Sequence, residues 1–116
     1  MTVSEIISRV NTLNPNAFDE ETKGQALCSL ESRLIYKFTG KEQRFTYPED
    51  VKTELILPDR YADVYIYHLS AMLCFWNREY EEYNNHVAQY NALLEKYEKE
   101  YGSIQKHGKK RFFNLF

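Results

Sequence analysis

From Trp76 onward the large apolar residues fall at Trp76, Tyr80, Tyr83, Val87, Tyr90, Leu94, Tyr97 and Tyr101, in steps of 4, 3, 4, 3, 4, 3 and 4. That alternation keeps one stripe on one side of an α-helix. Upstream, Ala62, Tyr65, Leu69, Met72, Leu73 and Trp76 make a second stripe, which Ile66, Tyr67, Ala71, Cys74 and Phe75 widen almost all round. A helix apolar on most sides is buried by several neighbours, so 59–80 reads as the central core helix, opened by Pro58 and capped by Asp59. Between Trp76 and Tyr80 the stripe slips by one residue, and Asn77 and Asn84-Asn85 flank the slip. Asn caps helices better than it propagates them. The pattern predicts a helical hairpin or a single kinked helix over 58–101. Any break lies in 77–85, the second segment is 81–101, Glu95 and Lys99 support it as an i,i+4 pair, and Gly102 closes it.

Two shorter helices precede this stretch. In 2–13, Thr2 and Glu5 fit a capping box, and Val3, Ile6, Ile7, Val10 and Leu13 share a face before Asn14-Pro15-Asn16 stops the helix. In 19–38, Asp19 is the N-cap, Glu20 and Glu21 sit in the positive first turn, and Gly40 follows as C-cap. Leu27, Leu30, Leu34, Ile35 and Phe38 repeat at helical spacing there, while Gly24 weakens the first turns by ~1 kcal/mol relative to Ala. Residues 40–58 are irregular, with a turn at Tyr47-Pro48-Glu49-Asp50 and an extended Leu55-Ile56-Leu57. A lone strand needs a partner, either Arg44 to Tyr47 or a second subunit. The expected fold is a small all-α bundle of about four helices. Residues 1–101 form its body and 102–116 an extended arm.

Composition sharpens this picture in three places. Aromatic residues make up 16% of the chain, and eight of its ten tyrosines lie in 58–101. Tyr combines a large apolar body with a polar tip, which suits wet contacts with partners. The net charge of −2 supplies no global field for nucleic acid. The charge is nevertheless polarised: 59–101 carries eight Asp or Glu against four Lys or Arg, whereas 102–116 carries Lys106, Lys109, Lys110 and Arg111 and no acid. The N-terminal residues lack the features of a secretory signal, and no run approaches the ~18 apolar residues of a membrane span. The expectation is a soluble protein made in a reducing compartment, with Cys28 and Cys74 as reduced core thiols.

The residues offer little chemistry. Glu79, Glu82 and His86 lie on adjacent turns, but a carboxylate-bridged di-metal bundle wants Glu-x-x-His on two helices, and the spacing here is Glu82-x-x-x-His86, once. Both cysteines sit on apolar helical faces, where thiols are inert. His68 lies on the core helix and is expected to make a polar contact at its rim. No nucleophile elbow, Gly-rich phosphate loop or Cys-x-x-Cys occurs. The expectation is a protein that is not an enzyme and has no cofactor, metal or catalytic residue.

Two features point to assembly instead. The stripe of Trp76, Tyr80, Tyr83, Tyr90, Leu94, Tyr97 and Tyr101 reads either as a core seam or as a seam between subunits. The subunit reading is preferred, because two short helices would not cover both it and the core helix. The arm is the second feature. Phe112, Phe113, Leu115 and Phe116 behind Lys109, Lys110 and Arg111 read as a peptide anchor that enters another protein, since such residues left exposed would invite aggregation. The cations could instead touch DNA phosphates, weakly per copy and more strongly in a ring.

Leu57-Pro58-Asp59-x-Tyr61-x-Asp63-x-Tyr65-x-Tyr67-x-Leu69, then Asn77-x-Glu79, Tyr83-Asn84-Asn85 and Tyr90-Asn91, resembles a group of small prophage head-morphogenesis proteins. The layout also resembles the head–tail connector, or adaptor, class of tailed phages. The likeness covers most of 1–101 and is best at 55–91; the Phe-rich arm is not part of the pattern. The resemblance implies a virion structural protein at the capsid vertex or neck, made in the host cytoplasm. It implies a ring, commonly of twelve copies, that docks under the portal protein and receives the next neck or tail protein, a stopper or tail terminator. Genomic DNA would pass through the channel without specific binding, and Glu79, Glu81, Glu82, Glu95, Glu98 and Glu100 would line it. The alternatives are another neck or tail component, or a small DNA-binding accessory protein that uses the basic arm.

Overall fold

A computed structural model describes residues 1–108. The elements run α1 (Val3–Leu13), α2 (Glu20–Thr39), a 3-10 turn (Asp59–Tyr61), α3 (Asp63–Trp76) and α4 (Tyr80–Gly108). This is an all-α bundle, with no strand among the described residues. The helix starts follow from local chemistry. Thr2 Oγ1 accepts from the Glu5 amide at 3.2 Å, and Glu5 Oε1 accepts from the Thr2 amide at 3.0 Å. Asp19 Oδ1 accepts from the Thr22 amide at 2.8 Å. Gly40 closes α2 at φ 75°, a left-handed conformation that costs glycine nothing, and its amide reaches the Tyr36 carbonyl.

Helix α3 is the centre. Val64, Tyr65 and Leu69 on it are fully buried, against Val3, Ile6 and Val10 of α1 and Leu27, Leu30 and Phe38 of α2. Helix α4 folds back antiparallel to α3, with Tyr83 beside Phe75, Tyr90 beside His68 and Tyr97 beside Tyr61. The stretch 58–101 is therefore a hairpin. Its break spans Asn77, Arg78 and Glu79, at the start of the expected window.

Residues 40–58 are irregular but tethered. Phe45 is buried, and its amide donates to Ser32 Oγ at 2.9 Å. Leu55 and Leu57 are buried in the core. Within the chain the extended segment does not pair with 44–47. Thr2 and Glu54 form an isolated antiparallel bridge, and the Leu55 amide donates to the Met1 carbonyl at 2.9 Å. Its next two amides donate to side chains. The Ile56 amide donates to Glu31 Oε2 at 2.6 Å, and the Leu57 amide donates to the Tyr65 hydroxyl at 3.1 Å. That hydroxyl donates in turn to Glu31 Oε1 at 2.7 Å. One buried carboxylate thus ties the loop to α2 and α3.

Two helix boundaries depart from expectation. Asp59 does not cap α3: the chain first makes a 3-10 turn behind Pro58, and Asp59 Oδ1 accepts from the Met1 ammonium at 2.7 Å, beside Glu54. Gly102 does not end α4, which continues to Gly108. A glycine costs a helix only ~1 kcal/mol. Here the helix is held by tertiary contacts up to Tyr101, whose hydroxyl donates to the Phe38 carbonyl at 2.5 Å.

Gly24 has a tertiary reason to be glycine: the Tyr47 ring lies where a Cβ would stand. Gly24→Ala gains ~1 kcal/mol of helix propensity but overlaps that ring, so a net loss of ~1–2 kcal/mol is expected in urea denaturation. Adding Tyr47→Ala should remove the overlap. If the single variant is instead more stable than the parent, the packing of Tyr47 on α2 is looser than described.

Candidate assembly surface

The hairpin turn brings two exposed aromatic residues together. The Asn77 amide closes α3 on the Leu73 carbonyl, the Glu79 amide donates to the Cys74 carbonyl at 2.8 Å, and Arg78 between them has φ 61°. A non-glycine residue in that region costs ~1–2 kcal/mol, and the reversal that carries α4 back along α3 requires it here. The tight reversal leaves Phe75 and Tyr80 at the tip, 47% and 54% exposed. The Phe75 ring lies 6.0 Å from the Tyr80 ring and 5.3 Å from that of half-buried Tyr83. Glu79, Glu81 and Glu82 are exposed around them, against one cation, Arg78.

The remaining seam residues turn inward. Tyr97 is buried, with its ring 5.0 Å from those of both Phe38 and Tyr61. Tyr101 packs 5.2 Å from Phe38, Tyr90 lies 5.5 Å from His68, and Leu94 packs on the same core. Trp76 is half-buried, 5.5 Å from Phe18. The expectation that the chain lacks cover for this stripe overlooked α3 itself, which the tight turn folds directly onto α4. A contact between copies has Tyr80, the outer edge of Tyr83 and Phe75 to work with. Phe75 had been assigned only to the core helix. Its separation by five residues from Tyr80 across an Asn-containing slip was the available signal.

The acidic residues divide in the same way. Glu98 pairs with Lys37 at 2.6 Å, Glu100 pairs with Arg60 and accepts from the Tyr61 hydroxyl at 3.0 Å, and Glu95 pairs with Lys99 at 3.4 Å. These three brace α4, whereas Glu79, Glu81 and Glu82 stay at the tip. Cys74 is half-buried and its thiol is pushed up by burial, with Glu79 as a hydrogen-bond partner. Cys28 is buried, and burial raises its thiol to about 11, so it is a poor nucleophile at neutral pH. His68 stacks on Tyr90 where a polar rim contact was expected, and burial, reinforced by Arg33, lowers its pKa to about 4.

Among the described residues no cluster of three His, Cys, Asp or Glu could hold a metal, and no helix is long and apolar enough to cross a membrane. An open groove of about 770 Å³ is lined by Ser32, Arg33, Tyr36, Glu42, Gln43 and Arg44. Tyr36 in it is 58% exposed, with Arg33, Arg44 and Glu42 beside it. The arm residues Lys109, Lys110, Arg111, Phe112, Phe113, Leu115 and Phe116 lie outside the described residues. No family model, curated protein or solved structure matches the chain.

Proposed function

We propose that the chain is a structural subunit of a tailed-phage virion, a head–tail adaptor that rings the portal at the capsid vertex and extends the DNA channel. It works by assembly and not by catalysis. The observation that carries this reading is a braced hairpin with two unlike ends. The tip is aromatic and acidic. The opposite end of α4 leads at Gly108 into a basic segment rich in phenylalanine. Over the 29 residues of α4 the ends stand ~42 Å apart. A rigid subunit with different surfaces at its two ends suits head-to-tail contacts, which close into rings when the rotation permits. The sequence resemblance at 55–91 supports the same reading. In it, the hairpins pack side by side, the arm enters the portal, and the ring receives the next neck or tail protein.

Deleting residues 112–116 is expected to abolish co-sedimentation with the portal while leaving the melting temperature unchanged. Portal binding that survives the truncation removes the anchor role. The DNA-binding alternative is separated by a filter-binding titration. It requires tight binding by the monomer that falls steeply with salt, whereas four arm cations alone give weak binding.

A further inference from the structure

We infer that the hairpin tip of one copy is a receptor for residues 109–116 of a second copy. The tip offers Phe75 and Tyr80, both about half exposed, with the edge of Tyr83 beneath them. Glu79, Glu81 and Glu82 are exposed there, and Arg78 is the one cation of 74–83. Residues 109–116 are its chemical complement, with Lys109, Lys110 and Arg111 followed by Phe112, Phe113, Leu115 and Phe116. Rings can pack on the exposed faces of Phe75 and Tyr80 while the cations meet the carboxylates, which places each apolar and charged group opposite one that suits it.

Reach makes the contact intermolecular. Residues 109–116 leave α4 at Gly108, at the far end from Tyr80. Fully extended, these eight residues span ~27 Å. The helix holds the two ends ~42 Å apart. The segment therefore cannot fold back onto its own tip. Among the described residues the other exposed aromatic is Tyr36, whose groove is lined by Arg33 and Arg44 as well as Glu42 and so lacks the acidic surround of the tip. The contact joins unlike surfaces, so it propagates head to tail, and a closed ring strengthens it through effective concentration. It needs no portal, and since one arm cannot fill a portal and a tip at once, the two contacts use different arms or different stages of assembly.

The test uses two full-length variants. In one, Phe75→Ser and Tyr80→Ser remove the tip; in the other, Phe112→Ser, Phe113→Ser and Phe116→Ser remove the apolar part of the segment. All the tip changes are at exposed positions, and unchanged circular dichroism and melting confirm the fold. In sedimentation velocity the parent chain should self-associate, each variant alone should stay monomeric, and their equimolar mixture should give a one-to-one dimer. Charge provides a second readout. Glu81→Lys with Glu82→Lys should weaken self-association of the parent roughly tenfold, and Lys110→Glu with Arg111→Glu in the same chain should restore it. The inference is overturned by a parent chain that remains monomeric, by variants that associate as well as the parent, or by a mixture that does not dimerise. No portal is present, so failure here leaves the portal reading intact.

Discussion

Glu31→Ala should destabilise the chain by ~3–5 kcal/mol, a large share of the ~5–15 kcal/mol typical of a domain. The Glu31 side chain is fully buried between α2 and α3. It accepts from the Ile56 amide and the Tyr65 hydroxyl, and that hydroxyl accepts from the Leu57 amide. Alanine leaves two buried donors without an acceptor, each costing ~1–3 kcal/mol, and opens a void beside Leu57. Glu31→Gln keeps the shape and one good acceptor, so about half the loss is expected. The pH dependence carries a sign of its own. Burial raises the Glu31 pKa, and the hydrogen bonds from Tyr65 and Ile56 only partly oppose it. Its contribution is then fully present below the unfolded carboxyl pKa and is lost as pH rises through the folded value. Urea melts of the parent and the Gln variant across that range measure both effects. Equal stability of the parent and the alanine variant would show that the loop is held without this carboxylate.

The second large effect runs the opposite way with pH. Burial against α4 lowers the His68 pKa from 6.5 to about 4. A depressed base contributes stability above its unfolded pKa that is lost as pH falls through the folded value. Between about pH 6.5 and pH 4 the parent should lose ~3 kcal/mol on this account. His68→Phe keeps a ring against Tyr90, 5.5 Å away in the parent, and cannot take up the proton. Its stability should fall much less over that window. If both proteins lose stability in parallel, the acid sensitivity originates elsewhere. The change should also weaken the mid-hairpin packing on acidification, since His68 and Tyr90 join α3 to α4.

The helices were legible because their signals are local. Thr2 with Glu5, Asp19, and Gly40 each act within a few residues, and each acts as its position implied. The slip after Trp76 marked the hairpin turn for the same reason. Features that depend on distant partners were not legible. Glu31 lies on the apolar stripe between Leu27 and Leu34, which marks it as unusual, but its partners are 25 and 34 residues away. Gly24 looked like a weakness in α2 until the Tyr47 ring accounted for it. Gly102 looked like a stop because the contacts of Tyr97 and Tyr101 cannot be read along the chain. The tyrosine stripe shows where periodicity stops being informative. Its period correctly gave a buried face, but period alone does not say whether the cover comes from the same chain or another. The tight turn at Arg78 decides that for Tyr90, Leu94, Tyr97 and Tyr101, and leaves Phe75 and Tyr80 outside.

The most direct test of the proposed adaptor role is the native mass of the chain mixed with a tailed-phage portal protein. The account predicts a complex carrying many copies per portal, built by the parent and absent when residues 112–116 are removed. A parent chain that leaves the portal mass unchanged at every mixing ratio would contradict it.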